Sequence, residues 1–89
     1  MKTGELLVVF PTTHLTLKAE QVLRGAGIAH RTILKPRKVS SDCGLAIRLQ
    51  WEDLDRAAGI LEEAKHLPAT FYRSEEGQWS QIRMLGAPE

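Results

Sequence analysis

Leu6-Leu7-Val8-Val9-Phe10-Pro11-Thr12-Thr13 decides how this chain begins to fold. An unbroken apolar run with valines at its centre suits a strand buried on both faces. Pro11 ends it, because proline carries no amide proton for a sheet ladder. Thr12 and Thr13 then offer hydroxyls that can cap a helix. Along that helix Leu15, Ala19, Val22, Leu23 and Ala26 recur at helical spacing as one apolar stripe, and Gly25 and Gly27 supply its stop.

Beyond this unit, Ile28 to Leu34 reads as a second strand that breaks at Pro36. Lys35 to Gly44 is loop by composition, with Pro36, Ser40, Ser41, Asp42 and three basic residues. Leu45, Ile47 and Leu49 then alternate with Ala46, Arg48 and Gln50, the pattern of a half-buried strand whose second set points outward. Trp51 to His66 is helical again, with an acidic start (Glu52, Asp53) and a basic end (Lys65, His66) that suit the helix dipole. Pro68 closes it, and Ala69 to Arg73 gives a further strand.

The order β-α-β-β-α-β predicts an α+β fold of ferredoxin-like topology, an antiparallel sheet with two helices on one face. Residues 1–73 form that domain, and 74–89 a C-terminal extension. Its Trp79, Ile82, Met84 and Leu85 can add a short edge strand, the favoured reading, or else cover a face or meet another subunit. No internal repeat or low-complexity tract is visible.

Size and charge narrow the function classes. The chain has 89 residues, enough for one domain and too few for two. Its 12 Lys and Arg nearly balance 11 Asp and Glu, which disfavours a polyanion or membrane surface as partner. Between Ile28 and Arg48, however, Arg31, Lys35, Arg37, Lys38 and Arg48 are opposed only by Asp42. Such a patch suits a small anion or a thiolate. The single cysteine implies no internal disulfide and no oxidising compartment. No segment approaches the roughly 20 apolar residues that cross a bilayer, and the N-terminus reads as a strand rather than a signal peptide. The cytoplasm is the expected location.

The predicted topology gathers distant residues at one sheet edge. The end of the first strand, the start of the first helix and the loop between strands two and three should meet there. Thr12, Thr13 and His14 then lie on one side, with Arg37, Ser40, Ser41, Cys43 and Gly44 on the other. A free thiol is mostly protonated at neutral pH, and only the thiolate is a good nucleophile. A helix N-terminus, neighbouring cations and a protonated histidine each favour that thiolate. Ser40 and Ser41 add donors, and Gly44 leaves the sulfur uncrowded. A lone cysteine is more often a small buried hydrophobe, but Asp42 and Gly44 place this one in a loop.

Phe10-Pro11-Thr12-Thr13-His14, Lys18-Ala19-Glu20 and Pro36-Arg37-x-x-Ser40-Ser41-x-Cys43-Gly44-Leu45-Ala46 resemble the small bacterial Se/S carrier protein-like family. The likeness runs from about Leu6 to about Arg73, and the Pro-Arg to Cys-Gly element is its most specific part. Lys35 stands where that family often has a small polar residue. The resemblance implies a carrier of sulfur or selenium. Cys43 would hold a persulfide or selenopersulfide, with donor and acceptor proteins as partners, and no separate cofactor.

Other function classes fit less well. A non-covalent anion-binding or regulatory module would use Thr12, Thr13, Arg37 and Ser40 at the helix start, with Cys43 a bystander. RNA recognition needs aromatic platforms on the central strands, and Leu45 to Gln50 has none. One Cys and three scattered His (His14, His30, His66) lack metal-ligand spacing. A Cys-His pair alone is thin support for an enzyme with turnover. A homodimer through the open sheet face is compatible with the pattern.

Overall fold

β1 (Glu5–Val9) lies at the centre of the sheet, and Leu6 to Val9 are buried on both of its faces, as a continuous apolar run requires. The computed structural model describes residues 5–39, 44–65, 68–75 and 78–86. Within them the elements follow as α1 (Thr13–Gly25), β2 (His30–Leu34), β3 (Leu45–Leu49), α2 (Leu54–Glu63), β4 (Ala69–Glu75) and β5 (Gln78–Leu85). The fold is α+β, with a five-stranded antiparallel sheet in the order β2-β3-β1-β4-β5 and two helices.

Helix α1 is fixed at both ends by local chemistry. The Thr12 hydroxyl oxygen accepts a 3.1 Å bond from the Leu15 amide, satisfying one of the orphan donors of the first turn. At the other end Gly27 takes a left-handed φ of 74°. There its amide donates to Arg24 O and the Ile28 amide to Leu23 O, each at 3.0 Å. This is a Schellman stop, and Ile28 and Leu23 share one core as that motif favours. Ile28 thus serves the helix end, which is why β2 starts at His30 and not at Ile28 as the sequence suggests.

Both helices cover one sheet face. Ala19 and Leu23 of α1 and Ala57, Ala58 and Leu61 of α2 pack with Leu6, Val8, Ile47, Leu49 and Phe71. The second helix is shorter than the expected span of Trp51 to His66. Trp51–Asp53 is a 3₁₀ turn, a common way for a helix to begin, and α2 ends at Glu63. Lys65 follows with a φ of 61°. His66 lies outside the described residues.

The opposite face corrects one expectation. Ala46 was expected to point outward, but it is fully buried. Val39, from the segment between β2 and β3, folds back over Leu7, Val9 and Ala46 to make a second small core, with Ile33, Tyr72 and Trp79 at its margin. Gln50, just past the end of β3, is exposed, as expected. The tail does add a strand, and a long one. β5 pairs with β4 through a register shift near Phe71 and Tyr72, Leu85 packs on the larger core, and Arg83 meets Asp55 of α2 at 3.0 Å.

Candidate functional site

The register brings the expected edge together. Val8 is opposite Ile47, Leu34 is opposite Leu45, and Val9 is opposite Thr70. The end of β1 and the start of α1 therefore share an edge with the end of β2 and the start of β3. The start of β4 and the end of β5, where Ala69 pairs with Leu85, meet there too.

Three hydrogen bonds hold the described part of the loop that this edge carries. The Lys35 amide donates to Gly44 O at 2.9 Å, closing the segment between the strands. The Val39 amide donates to Pro36 O at 3.1 Å, a turn with Arg37 and Lys38 at its corners. The Lys35 ammonium bonds the Val39 carbonyl at 2.8 Å. This lysine therefore also braces the turn. Val39 is fully buried while Arg37 and Lys38 are exposed, so the apolar residue anchors the turn and the cations stay in solvent.

Of the site residues expected from the sequence, the structure describes Thr12, Thr13, His14, Arg37 and Gly44. Thr12, Thr13 and His14 are exposed at the start of α1, where the Thr12 side chain is engaged in capping. Arg37 is exposed in the turn beside Val39, and Gly44 is exposed where β3 begins. Among the described residues, a Cβ added at Gly44 would meet nothing within 4 Å. Cys43, Ser40 and Ser41 lie outside the described residues. Val39 draws the first part of the loop onto the helix-free face, whereas α1 lies on the other; the two reach the edge from opposite sides of the sheet.

The electrostatics of the helix start bear on anions. The first turn of α1 contains no acidic residue, so the partial positive charge of its N-terminus has no carboxylate of its own to offset it. Among the described residues no group of His, Cys, Asp and Glu could hold a metal ion. No helix of the described residues is long and apolar enough to cross a membrane.

The sequence reading missed features at the other edge. Arg73 stacks its guanidinium on Trp51, 4.3 Å from the ring centroid. Arg31 and Arg48 are direct cross-strand partners. Once Lys35 and Gly44 are known as the closing pair, counting back four residues on each strand gives that pairing. The loop composition alone did not mark the closing pair.

A family model described as "Putative Se/S carrier protein-like" matches residues 5–73. No curated protein and no solved structure matches the chain. The match spans β1 through most of β4 and stops short of β5.

Proposed function

Since the chain belongs to the Se/S carrier protein-like family, we propose that it carries sulfur or selenium on Cys43 between partner proteins. The match over 5–73, which contains that cysteine, is the observation that carries this reading. Three features of the described residues support this reading: a loop closed by Lys35 and Gly44, exposed cations at Arg37 and Lys38, and a helix start without acidic residues.

The transfer is an exchange without net oxidation. The Cys43 thiolate attacks the outer sulfur of a persulfide on a donor protein. A sulfur–sulfur bond forms to Cys43 as the donor's own bond breaks, and the donor cysteine leaves as a thiolate. An acceptor thiolate then attacks the terminal atom and releases Cys43. With selenium the terminal atom changes and the balance does not. Thr12, Thr13, His14, Ser40, Ser41 and Gly44 complete the proposed site, with Arg37 holding the terminal anion by charge. Such chemistry belongs in a reducing compartment such as the cytoplasm.

The same reading takes the split β-α-β arrangement, in which β1 and β2 run parallel on either side of β3, as ferredoxin-like. It divides the chain into a carrier domain over 1–73 and an extension over 74–89.

Incubation with a cysteine desulfurase and cysteine, followed by intact-mass measurement, tests the carrier role. A gain of one sulfur mass, lost on mild reduction and absent in Cys43→Ser, is expected. A folded protein that gains no mass would reject it.

A further inference from the structure

At the sheet edge remote from the cysteine loop, we propose a second site, one that binds a small oxyanion of the carboxylate or phosphate class between Arg31 and Arg48. These arginines are paired directly across the antiparallel β2/β3 ladder. Arg48 is in turn paired with Leu7 of β1, a residue of the smaller core, so both arginines sit on the helix-free face. Side chains opposed in this way have Cβ atoms roughly 5 Å apart, and like charges so placed repel. A sheet keeps such a pair at a cost unless an anion bridges it.

What the protein supplies as counter-charge is incomplete. Arg48 meets Glu5 at 3.3 Å, in a pair whose side chains are 41% and 51% exposed, and such solvent-exposed pairs are weak. Arg31 has no ion-pair partner among the described residues. Two planar guanidiniums, one without an ion-pair partner among the described residues and one loosely held, match the forked geometry of a carboxylate or phosphate.

The shape agrees with the charge. Arg31 and Arg48 line a groove of about 460 Å³ together with His30, Gln50 and Trp51. That volume lies in the range of small-molecule sites, roughly 300–1,000 Å³. His30 is fixed there by a 2.8 Å bond between Nδ1 and the Ile28 carbonyl, and Trp51 by the Arg73 guanidinium. Its walls are thus preorganised. Glu5 and Glu52 also line the groove, which sets an upper limit on the negative charge it accepts. One compact anionic head fits; a polyanion such as RNA does not.

The site is independent of the carrier reading. Arg31↔Arg48 lies four residues along the strands from the Lys35–Gly44 pair that closes the loop, so the groove stands about 13 Å from the base of that loop.

Titration of the full chain with inorganic phosphate and with succinate, at constant ionic strength and followed by amide NMR shifts, tests this. Saturable shifts are expected at Arg31, Arg48 and Gln50, equally in Cys43→Ser. Saturation by phosphate alone assigns the ligand as a phosphate, and by succinate alone as a carboxylate. Exposed Arg31→Gln should fold normally and weaken binding about tenfold, as loss of a charged hydrogen-bonding partner does. Glu5→Gln should instead tighten it, about threefold, by freeing Arg48 from a weak ion pair. Overturning results are no saturation with either anion, affinity unchanged in Arg31→Gln and Arg48→Gln, or tighter binding of an RNA oligonucleotide than of both anions.

Discussion

Lys35 and Gly44 close the cysteine loop: the Lys35 amide meets the Gly44 carbonyl at 2.9 Å, and the Lys35 ammonium turns inward to the Val39 carbonyl at 2.8 Å. One residue thus fixes both the base of the loop and its first turn. The described part of the loop is thus held by a strand end at its base and by an apolar anchor at Val39.

Val39 is that anchor, fully buried over Leu7, Val9 and Ala46. Val39→Ala removes two buried methyl groups and leaves a small void, a loss of about 1–3 kcal/mol. The urea midpoint should fall accordingly with unchanged slope. Alkylation of Cys43 by iodoacetamide should also change in rate, because the loop loses its hold on the sheet. An unaltered midpoint would show that Val39 does not pack as described.

Thr12 caps α1 and stands in the proposed site, so its replacement separates two roles. Thr12→Ala should cost about 1 kcal/mol from the lost cap. Thr12→Asp keeps a capping oxygen and restores stability, but it places a carboxylate at the helix start. If a Cys43 anion depends on that positive end, Thr12→Asp slows alkylation while Thr12→Ala affects it less. Equal rates in both variants would remove the helix start from the site.

The cations of the loop make a parallel case. Arg37→Gln and Lys38→Gln alter exposed side chains and should leave stability within about 0.5 kcal/mol. Together they should slow alkylation of Cys43 several-fold at low salt, with the difference shrinking as salt screens the charges. Rates that match wild type at every ionic strength would show that these cations do not reach the sulfur.

What could be read from the sequence follows from periodicity. β1 announced itself because an unbroken apolar run has few alternatives, and α1 because its stripe, cap and glycine stop agree with one another. The family was legible in the Pro-Arg to Cys-Gly element, and the match over 5–73 bears that out. Val39 was not legible. A single valine among lysine, serine and aspartate carries no period, and its burial depends on the loop folding back across the sheet. Thr16 was hidden for a related reason. A threonine on an apolar stripe reads as a break, yet it is fully buried with its hydroxyl donating to Thr12 O at 3.0 Å. The Arg31–Arg48 pair required a register, and register follows from which residues close a loop, not from composition.

Lys65 offers a gain in stability. It follows α2 with a φ of 61°, a left-handed conformation that costs an L-residue about 1–2 kcal/mol. Glycine takes that conformation freely but loses more entropy on folding. Lys65→Gly should therefore stabilise the protein by about 0.5–1 kcal/mol, seen as a higher melting temperature. A lower melting temperature would mean that the lysine side chain contributes more than its backbone costs.

The extension beyond the family match is also part of the core. Leu85 packs on the larger core, Trp79 on the smaller, and Arg83 ties β5 to Asp55 of α2 at 3.0 Å. Removing residues 76–89 uncovers the whole outer edge of β4, including Phe71 and Tyr72. From the apolar surface of those side chains alone, partly buried, the loss should be roughly 2–4 kcal/mol. For a chain of this size that is a large share of total stability. The shortened protein should unfold at clearly lower urea, and its newly bare β4 edge should favour self-association. If it kept the full-length midpoint and stayed monomeric, the matched region would be a self-sufficient unit and β5 an ornament on its edge.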